Sequence, residues 1–191
     1  IALDKKLMYR ALKEAKRGIP YVYPNPAVGC VIYDGSKILS TGYHKKFGES
    51  HAEHQAIKNL DEMIKGLTMY VSLEPCKHTG KTGACLDLID PEVFERVVIA
   101  EKDPNSEASG SIEKLKKRGI KVDLGLLKHE ARKLNKRFYV FHEKKRPYVI
   151  LKYASTLDGF IAQENGYSKW ITNEKSRKEN HYTRSICDAI L

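Results

Sequence analysis

Apolar residues recur along the chain in two rhythms, and the change from one to the other marks its elements. Leu3, Leu7, Ala11, Leu12 and Ala15 fall at helical spacing and predict a first helix closed by Gly18. "AVGCVIYD" and "KILSTGYH" read as strands, and Asp34-Gly35-Ser36 between them is hairpin chemistry. "HAEHQAIKNLDEMI" is helical and "TMYVSL" is a strand. A short helix is expected from about Ala84, carrying Leu86 and Ile89. "RVVIA" is a strand, "SIEKLKKRG" a helix, "IKVDLG" a short strand and "LKHEARKLNKRFYVF" one closing helix. Strands that alternate with helices after an initial hairpin predict an α/β domain, its mixed sheet covered on both faces. Sites in such sheets form at the carboxyl ends of strands. "TMYVSL" ends at Glu74-Pro75-Cys76.

The charged run "HEKKRP", residues 142–147, is closed by a proline and reads as a linker. It divides the chain into 1–143 and 144–191. "YVILKYASTLDGFIA" then predicts a strand, and "NEKSRKENHYTRSICDAIL" a helix. A tail of about 45 residues is too short to close a core of its own. It is expected to be the beginning of a second domain.

Composition changes this picture little. Hydrophobic residues make up 41% and charged residues 30%, an ordinary balance for a globular domain. No apolar run of about 18 residues occurs, so no membrane span is expected. Cys30, Cys76, Cys85 and Cys187 are too few and scattered for a disulfide scaffold, which favours a reducing cytoplasm. The net charge of +10 raises a nucleic-acid partner. Its distribution argues against one: residues 51–100, which hold the suggestive cysteines, carry −3, whereas residues 101–150 carry +7. That excess lies in amphipathic helical patterns and reads as solvated helix faces.

One constellation carries chemistry. His51-Ala52-Glu53 opens a predicted helix, Cys76 follows a strand and a proline, and Cys85 opens the next short helix. Neighbouring strand-to-helix transitions bring His51, Cys76 and Cys85 to one rim. Helix N-termini favour thiolates. One imidazole and two thiolates make a tetrahedral zinc site with one position open, the arrangement of a catalytic rather than a structural zinc. Glu53 need not ligate. It is placed to take a proton from an activated water and hand it to a ring nitrogen and then to departing ammonia. This is the H-x-E…P-C logic of hydrolytic deamination. H-x-E alone and Pro-Cys alone are unspecific; their combination with a third ligand at the next helix is specific. Cys30, inside an apolar strand, reads as core, and His54 as packing or surface.

The stretches "YPNPAVGCVI", "GYHKKFGESHAEHQAI", "YVSLEPCKHTGKTGAC", "RVVIAEKDPN", "LKYASTLDGFIA", "SKWIT" and "DAIL" resemble the bifunctional deaminase–reductases of riboflavin biosynthesis. The eight residues between Cys76 and Cys85 and the Pro-Asn-Pro segment separate this pattern from the C-x-x-C of cytidine and tRNA adenosine deaminases. The resemblance implies a three-layer α/β/α cytidine-deaminase-like domain, followed by the N-terminal fragment of a dihydrofolate-reductase-like domain that uses NADPH. It implies deamination of a small phosphorylated pyrimidine, 2,5-diamino-6-ribosylamino-4(3H)-pyrimidinone 5′-phosphate. The cysteines favour the cytoplasm for it, and the apolar surface that an unfinished second domain exposes leads us to expect a homo-oligomer (dimer or tetramer). No nucleic acid and no membrane enter this reading.

Carried over by motif position, His51, Cys76 and Cys85 hold Zn2+ and Glu53 shuttles protons. Asn25, His44, His78, Lys81 and Asn105 meet the substrate. Lys81, between Gly80 and Thr82-Gly83, has the composition of a dianion-binding loop. Lys152, Ser168, Trp170, Thr172 and Arg184 match positions near the reductase substrate or cofactor. Three departures are Thr82-Gly83-Ala84, where a double proline is usual before the second Cys, Ser106, where a proline is usual, and "SGSIEKL", which lacks a second glycine often found there. Two other classes keep a place. A nucleic-acid-editing deaminase is supported by the net charge, and a non-catalytic zinc module is opposed by Glu53.

Overall fold

The computed structural model describes residues 2–60, 64–77 and 83–191. The chain divides into two compact units, Ile1–Tyr148 and Val149–Leu191.

The first unit is built on a five-stranded sheet of order β2-β1-β3-β4-β5. Its strands are β1 (Gly29–Tyr33), β2 (Ile38–Tyr43), β3 (Leu67–Val71), β4 (Phe94–Ile99) and β5 (Lys121–Leu124). β1 is antiparallel to both β2 and β3, while β3, β4 and β5 run parallel, so the sheet is mixed. The hairpin between β1 and β2 turns as its residues dictate. Gly35 takes a left-handed φ of 96°, and the Asp34 carboxylate accepts from the amides of Ser36 and Lys37 at 2.7 Å each.

Alternation along the strands sends successive side chains to opposite faces. Cys30, Ile32, Met69, Val71, Val97 and Ile99 pack under α2 (Ala52–Lys58), α3 (Cys85–Leu88) and α4 (Ser111–Lys117). Val31, Tyr70 and Val98 face α1 (Ala2–Lys16) and α5 (Lys128–Leu134). Both faces are therefore covered, which gives three layers. Two glycines set how closely the helices approach. A Cβ on Gly29 would stand 2.0 Å from the Ala11 carbonyl oxygen of α1. One on Gly42 would stand 2.2 Å from the Ala52 carbonyl oxygen of α2. Close seating of α2 matters because His51 and Glu53 lie at its start.

The single closing helix expected over residues 127–141 is two helices, α5 and α6 (Lys136–Lys144), joined at Asn135. Asn135 leaves helical register because its side chain is engaged elsewhere. Its Oδ1 accepts from the Ala27 amide and its Nδ2 donates to the Ala27 carbonyl, each at 2.8 Å. The charged run expected as a linker is helical as far as Lys144.

In the second unit α7 (Glu174–Ser185) is capped by the Asn173 side chain, which accepts from the Ser176 amide. The strand expected within residues 148–162 does not form: no ladder is present there, and an isolated strand has nothing to pair with. Among the described residues no helix is long and apolar enough to cross a membrane.

Candidate metal centre

Three elements deliver the centre. β1, β3 and the start of α2 bring His51 to the rim as the N-terminal flanking residue of α2. β3 is followed by Ser72-Leu73-Glu74-Pro75 and then by Cys76, which is buried. Cys85 is the first residue of α3. Their ligand atoms lie within 4.8 Å of one another. His51 Nδ1 stands 3.2 Å from the Cys85 sulfur and 3.5 Å from the Cys76 sulfur. A tetrahedral zinc about 2.3 Å from sulfur and 2.0–2.1 Å from nitrogen separates N and S by roughly 3.5 Å. The donor set and its spacing thus fit zinc with little rearrangement.

Electrostatics favour thiolate at Cys76. Its pKa is drawn down to about 4, chiefly by the hydrogen bond from the Cys85 thiol, then by His51 and by the Cys85 amide, which points at the sulfur from 3.4 Å. The Cys85 thiol, which donates that bond and is itself buried, is pushed up. His51 is raised, first by the Cys76 sulfur. Ala108 forms a small buried cluster with Cys76 and Cys85.

Glu53, in the first turn of α2, is buried at 3% exposure, and its carboxyl reaches the Cys85 sulfur. Burial raises its pKa, opposed by the nearby His51. A carboxyl with raised affinity for protons beside a metal site is equipped to carry them. Cys30 is wholly enclosed in the core beneath α2, where burial raises its thiol pKa and makes it inert. His54 is half-buried, and its Nδ1 has no hydrogen-bond partner among the described residues.

Beside the metal site lies a second polar group. His44 is almost completely buried; its Nδ1 lies 3.2 Å from the Ser50 carbonyl oxygen and its Nε2 3.1 Å from Asn25 Nδ2. A carbonyl only accepts, so Nδ1 carries the proton and Nε2 accepts from Asn25. Burial lowers the His44 pKa and keeps the ring neutral, as this arrangement requires. The His44 ring meets the His51 ring edge to face at 5.3 Å. Asn25 and His44 are therefore joined to each other and to the metal ligand.

The other expected residues are placed differently. Asn105 lies in the loop after β4, where its Oδ1 accepts from the Glu107 amide and its carbonyl from those of Ala108 and Ser109. His78 and Lys81 lie outside the described residues. In the second unit Lys152, Ser168, Trp170 and Arg184 are exposed and Thr172 is half-buried. Arg177 stacks over the Trp170 ring at 4.2 Å and donates to the Thr172 carbonyl at 2.6 Å. Sequence reasoning gave no part to Arg177, Glu74 or Asn135, whose partners are distant in the chain or carry no motif.

Comparison with known proteins agrees with this geometry. Residues 2–101 match the family described as the cytidine and deoxycytidylate deaminase zinc-binding region. Residues 147–191 match the RibD C-terminal domain. The chain is 46% identical over 190 residues to the riboflavin biosynthesis protein RibD of Aquifex aeolicus, covering 99% of this chain and 53% of that protein. It is 45% identical over 137 residues to the diaminohydroxyphosphoribosylamino-pyrimidine deaminase of Buchnera aphidicola (subsp. Schizaphis graminum), covering 71% of this chain and 93% of that protein. A crystal structure of a diaminohydroxyphosphoribosylaminopyrimidine deaminase/5-amino-6-(5-phosphoribosylamino)uracil reductase from Thermotoga maritima superposes with a TM-score of 0.91 at 44% identity, over 97% of this chain and 54% of that one. The chain spans about half the length of the RibD relatives it matches. With its mixed sheet, its His-Cys-Cys cluster and these matches, the chain belongs to the zinc-binding cytidine and deoxycytidylate deaminase family, in the branch of the riboflavin-biosynthesis deaminases.

Proposed function

We propose that the first unit hydrolytically deaminates 2,5-diamino-6-ribosylamino-4(3H)-pyrimidinone 5′-phosphate to 5-amino-6-ribosylamino-2,4(1H,3H)-pyrimidinedione 5′-phosphate and ammonia, a step of riboflavin biosynthesis. The observation that carries this reading is the convergence of His51, Cys76 and Cys85 with a buried glutamate at their side. Its substrate rests on the likeness to the Buchnera deaminase, nearly all of which the chain spans.

His51 Nδ1 and the sulfurs of Cys76 and Cys85 hold the zinc, which when bound supplies a water acidified towards neutrality at its open position. Glu53 does the proton work. It takes a proton from the attacking water and gives it to the ring nitrogen beside the amino-bearing carbon. It then passes the second proton to the amino group, which leaves as ammonia. The carboxyl ends each cycle in its starting state. Asn25, fixed by His44, presents its remaining amide atoms to the pyrimidine edge. His78 and Lys81 receive the ribose phosphate, and His44 and Asn105 complete the contacts to the phosphate or the base edge.

For the whole protein we infer an NADPH-dependent reductase that converts the ribosyl chain to ribityl, with Lys152, Ser168, Trp170, Thr172 and Arg184 at its substrate or cofactor. The match of residues 147–191 supports this. Exposed Leu151, Phe160 and Trp170 suit burial against further protein, in a homo-oligomer or a completed reductase. Four scattered cysteines suit the cytoplasm. Ammonia release from the diaminopyrimidinone phosphate, measured with zinc content, tests the proposal. Glu53→Gln retains zinc and loses about 100-fold or more of the rate. Wild-type turnover by that variant contradicts the mechanism.

A further inference from the structure

The sulfurs of Cys76 and Cys85 owe their spacing to more than the loop that joins them. Glu74, two residues before Cys76, is 4% exposed. Its Oε1 accepts from the amides of Gly110 at 2.7 Å, Ser111 at 2.9 Å and Ile112 at 3.3 Å, and from the Ser111 hydroxyl at 3.3 Å. Its Oε2 accepts from the Asp103 amide at 3.3 Å. One carboxylate thereby ties the Pro-Cys loop, the loop after β4 and the start of α4. At the far end of α4, Arg118 donates to the Leu86 carbonyl at 2.7 Å and to Asp87 at 3.2 Å. Leu86 is the neighbour of Cys85. Two backbone bonds close the frame: the Lys77 amide to the Ala108 carbonyl at 3.0 Å, and the Leu86 amide to the Cys76 carbonyl at 3.1 Å.

α4 is therefore fastened at its start to the chain leading into Cys76 and at its end to the helix that Cys85 opens. Ile112 and Leu115 anchor it in the core as a rigid reference. The Glu74 carboxylate, engaged by protein donors on both oxygens, is committed to this frame rather than to substrate or metal. A metal site needs its ligand distances held to about 0.2 Å, and an eight-residue loop alone does not supply that. We propose that Glu74 is a positioning residue of the metal centre: through α4, with Arg118 at its far end, it sets the separation of the Cys76 and Cys85 sulfurs. This rests on the zinc reading above.

The test uses the full chain with Glu74→Gln, Glu74→Ala, Arg118→Met and the control Glu113→Gln, whose side chain is 72% exposed on the same helix. Zinc affinity is measured by chelator competition. The thiolate-to-cobalt charge-transfer band of the Co(II) form reports both sulfurs, and kcat and KM are taken on the diaminopyrimidinone phosphate. Glu74→Ala is expected to weaken zinc binding by about 10- to 100-fold and to diminish the cobalt band. Its kcat falls, while KM stays within about two-fold. Glu74→Gln keeps an acceptor on α4 but turns an amino group against the Asp103 amide, so it falls between alanine and wild type. Arg118→Met loses affinity less steeply, and Glu113→Gln changes nothing. Should Glu74→Ala fail to fold, the glutamine and methionine variants decide. Wild-type zinc affinity and cobalt band in both, with only a lower melting temperature, overturns the inference while leaving the deaminase reading intact. A wild-type chain that binds no zinc overturns both.

Discussion

Asn135→Ala removes one side chain and strands two backbone groups. In the folded protein the Asn135 amide closes a two-bond ring on Ala27, accepting from its N–H and donating to its C=O, at 2.8 Å each. Ala27 is 2% exposed and Asn135 7%, so water does not replace either bond without rearrangement. A buried polar group left unpaired costs about 1–3 kcal/mol, and two partly relieved ones give about 3 kcal/mol. For a unit of this size each kcal/mol lowers the melting temperature by about 2–4 °C, hence a fall of about 9 °C. Ala27 lies two residues beyond Asn25, so the same change loosens the segment proposed to meet the substrate, and KM for the pyrimidine is expected to rise more than kcat falls. Asn135→Asp sharpens the test. It keeps the acceptor for the Ala27 amide but sets a carboxylate oxygen against the Ala27 carbonyl. Burial against that carbonyl is expected to raise the pKa of the introduced carboxyl in the folded state. Its stability relative to wild type is therefore best at acidic pH, where a protonated oxygen donates to Ala27, and is lost as pH rises through the folded value. Thermal denaturation of the three proteins between acidic and neutral pH measures this. An alanine variant within about 0.5 kcal/mol of wild type, or an aspartate variant indifferent to pH, refutes the reasoning.

Gly42→Ala drives a methyl group to 2.2 Å from the Ala52 carbonyl oxygen and 2.5 Å from the Ala56 nitrogen. It is expected to cost about 3 kcal/mol in chemical denaturation, with activity falling as α2 moves away from the site. Asp4 receives a 2.9 Å bond from Arg96 and a 2.6 Å bond from Tyr70, with Arg96 the main cause of its lowered pKa. Its contribution is present above its ordinary value of 3.8 and is lost as pH falls through the folded value. Asp4→Asn therefore lowers stability by about 1–2 kcal/mol at pH 7 and by progressively less in acid. Lys81→Ala raises KM by about ten-fold for the phosphorylated pyrimidine and little for its dephosphorylated form; equal effects on both remove its phosphate role.

Elements whose partners are near in sequence could be read directly. Helical spacing in α1, the Asp34-Gly35-Ser36 turn and the apolar runs of β1, β3 and β4 are local signals, and the structure forms these elements. What stayed hidden depends on distant partners. The closing helix is one continuous apolar pattern, yet it breaks at Asn135 because Ala27, 108 residues away, claims that side chain. "YVILKYASTLDGFIA" has the apolar run of a strand, and such a run alone cannot provide the neighbour a ladder requires. At the site, the types and spacing of His51, Cys76 and Cys85 pointed to one rim, and the structure brings them together. Glu74 stood beside them in plain sight as part of "EPC". Its purpose emerges only when Gly110, 36 residues later at the entry to α4, closes on it.

The central claim is a zinc held by one imidazole and two thiolates with one position left open. X-ray absorption at the zinc edge of the loaded full chain tests it most directly. The account predicts two sulfurs at about 2.3 Å and two nitrogen or oxygen neighbours at about 2.0 Å. A shell of three or four sulfurs, or one with no sulfur, contradicts it.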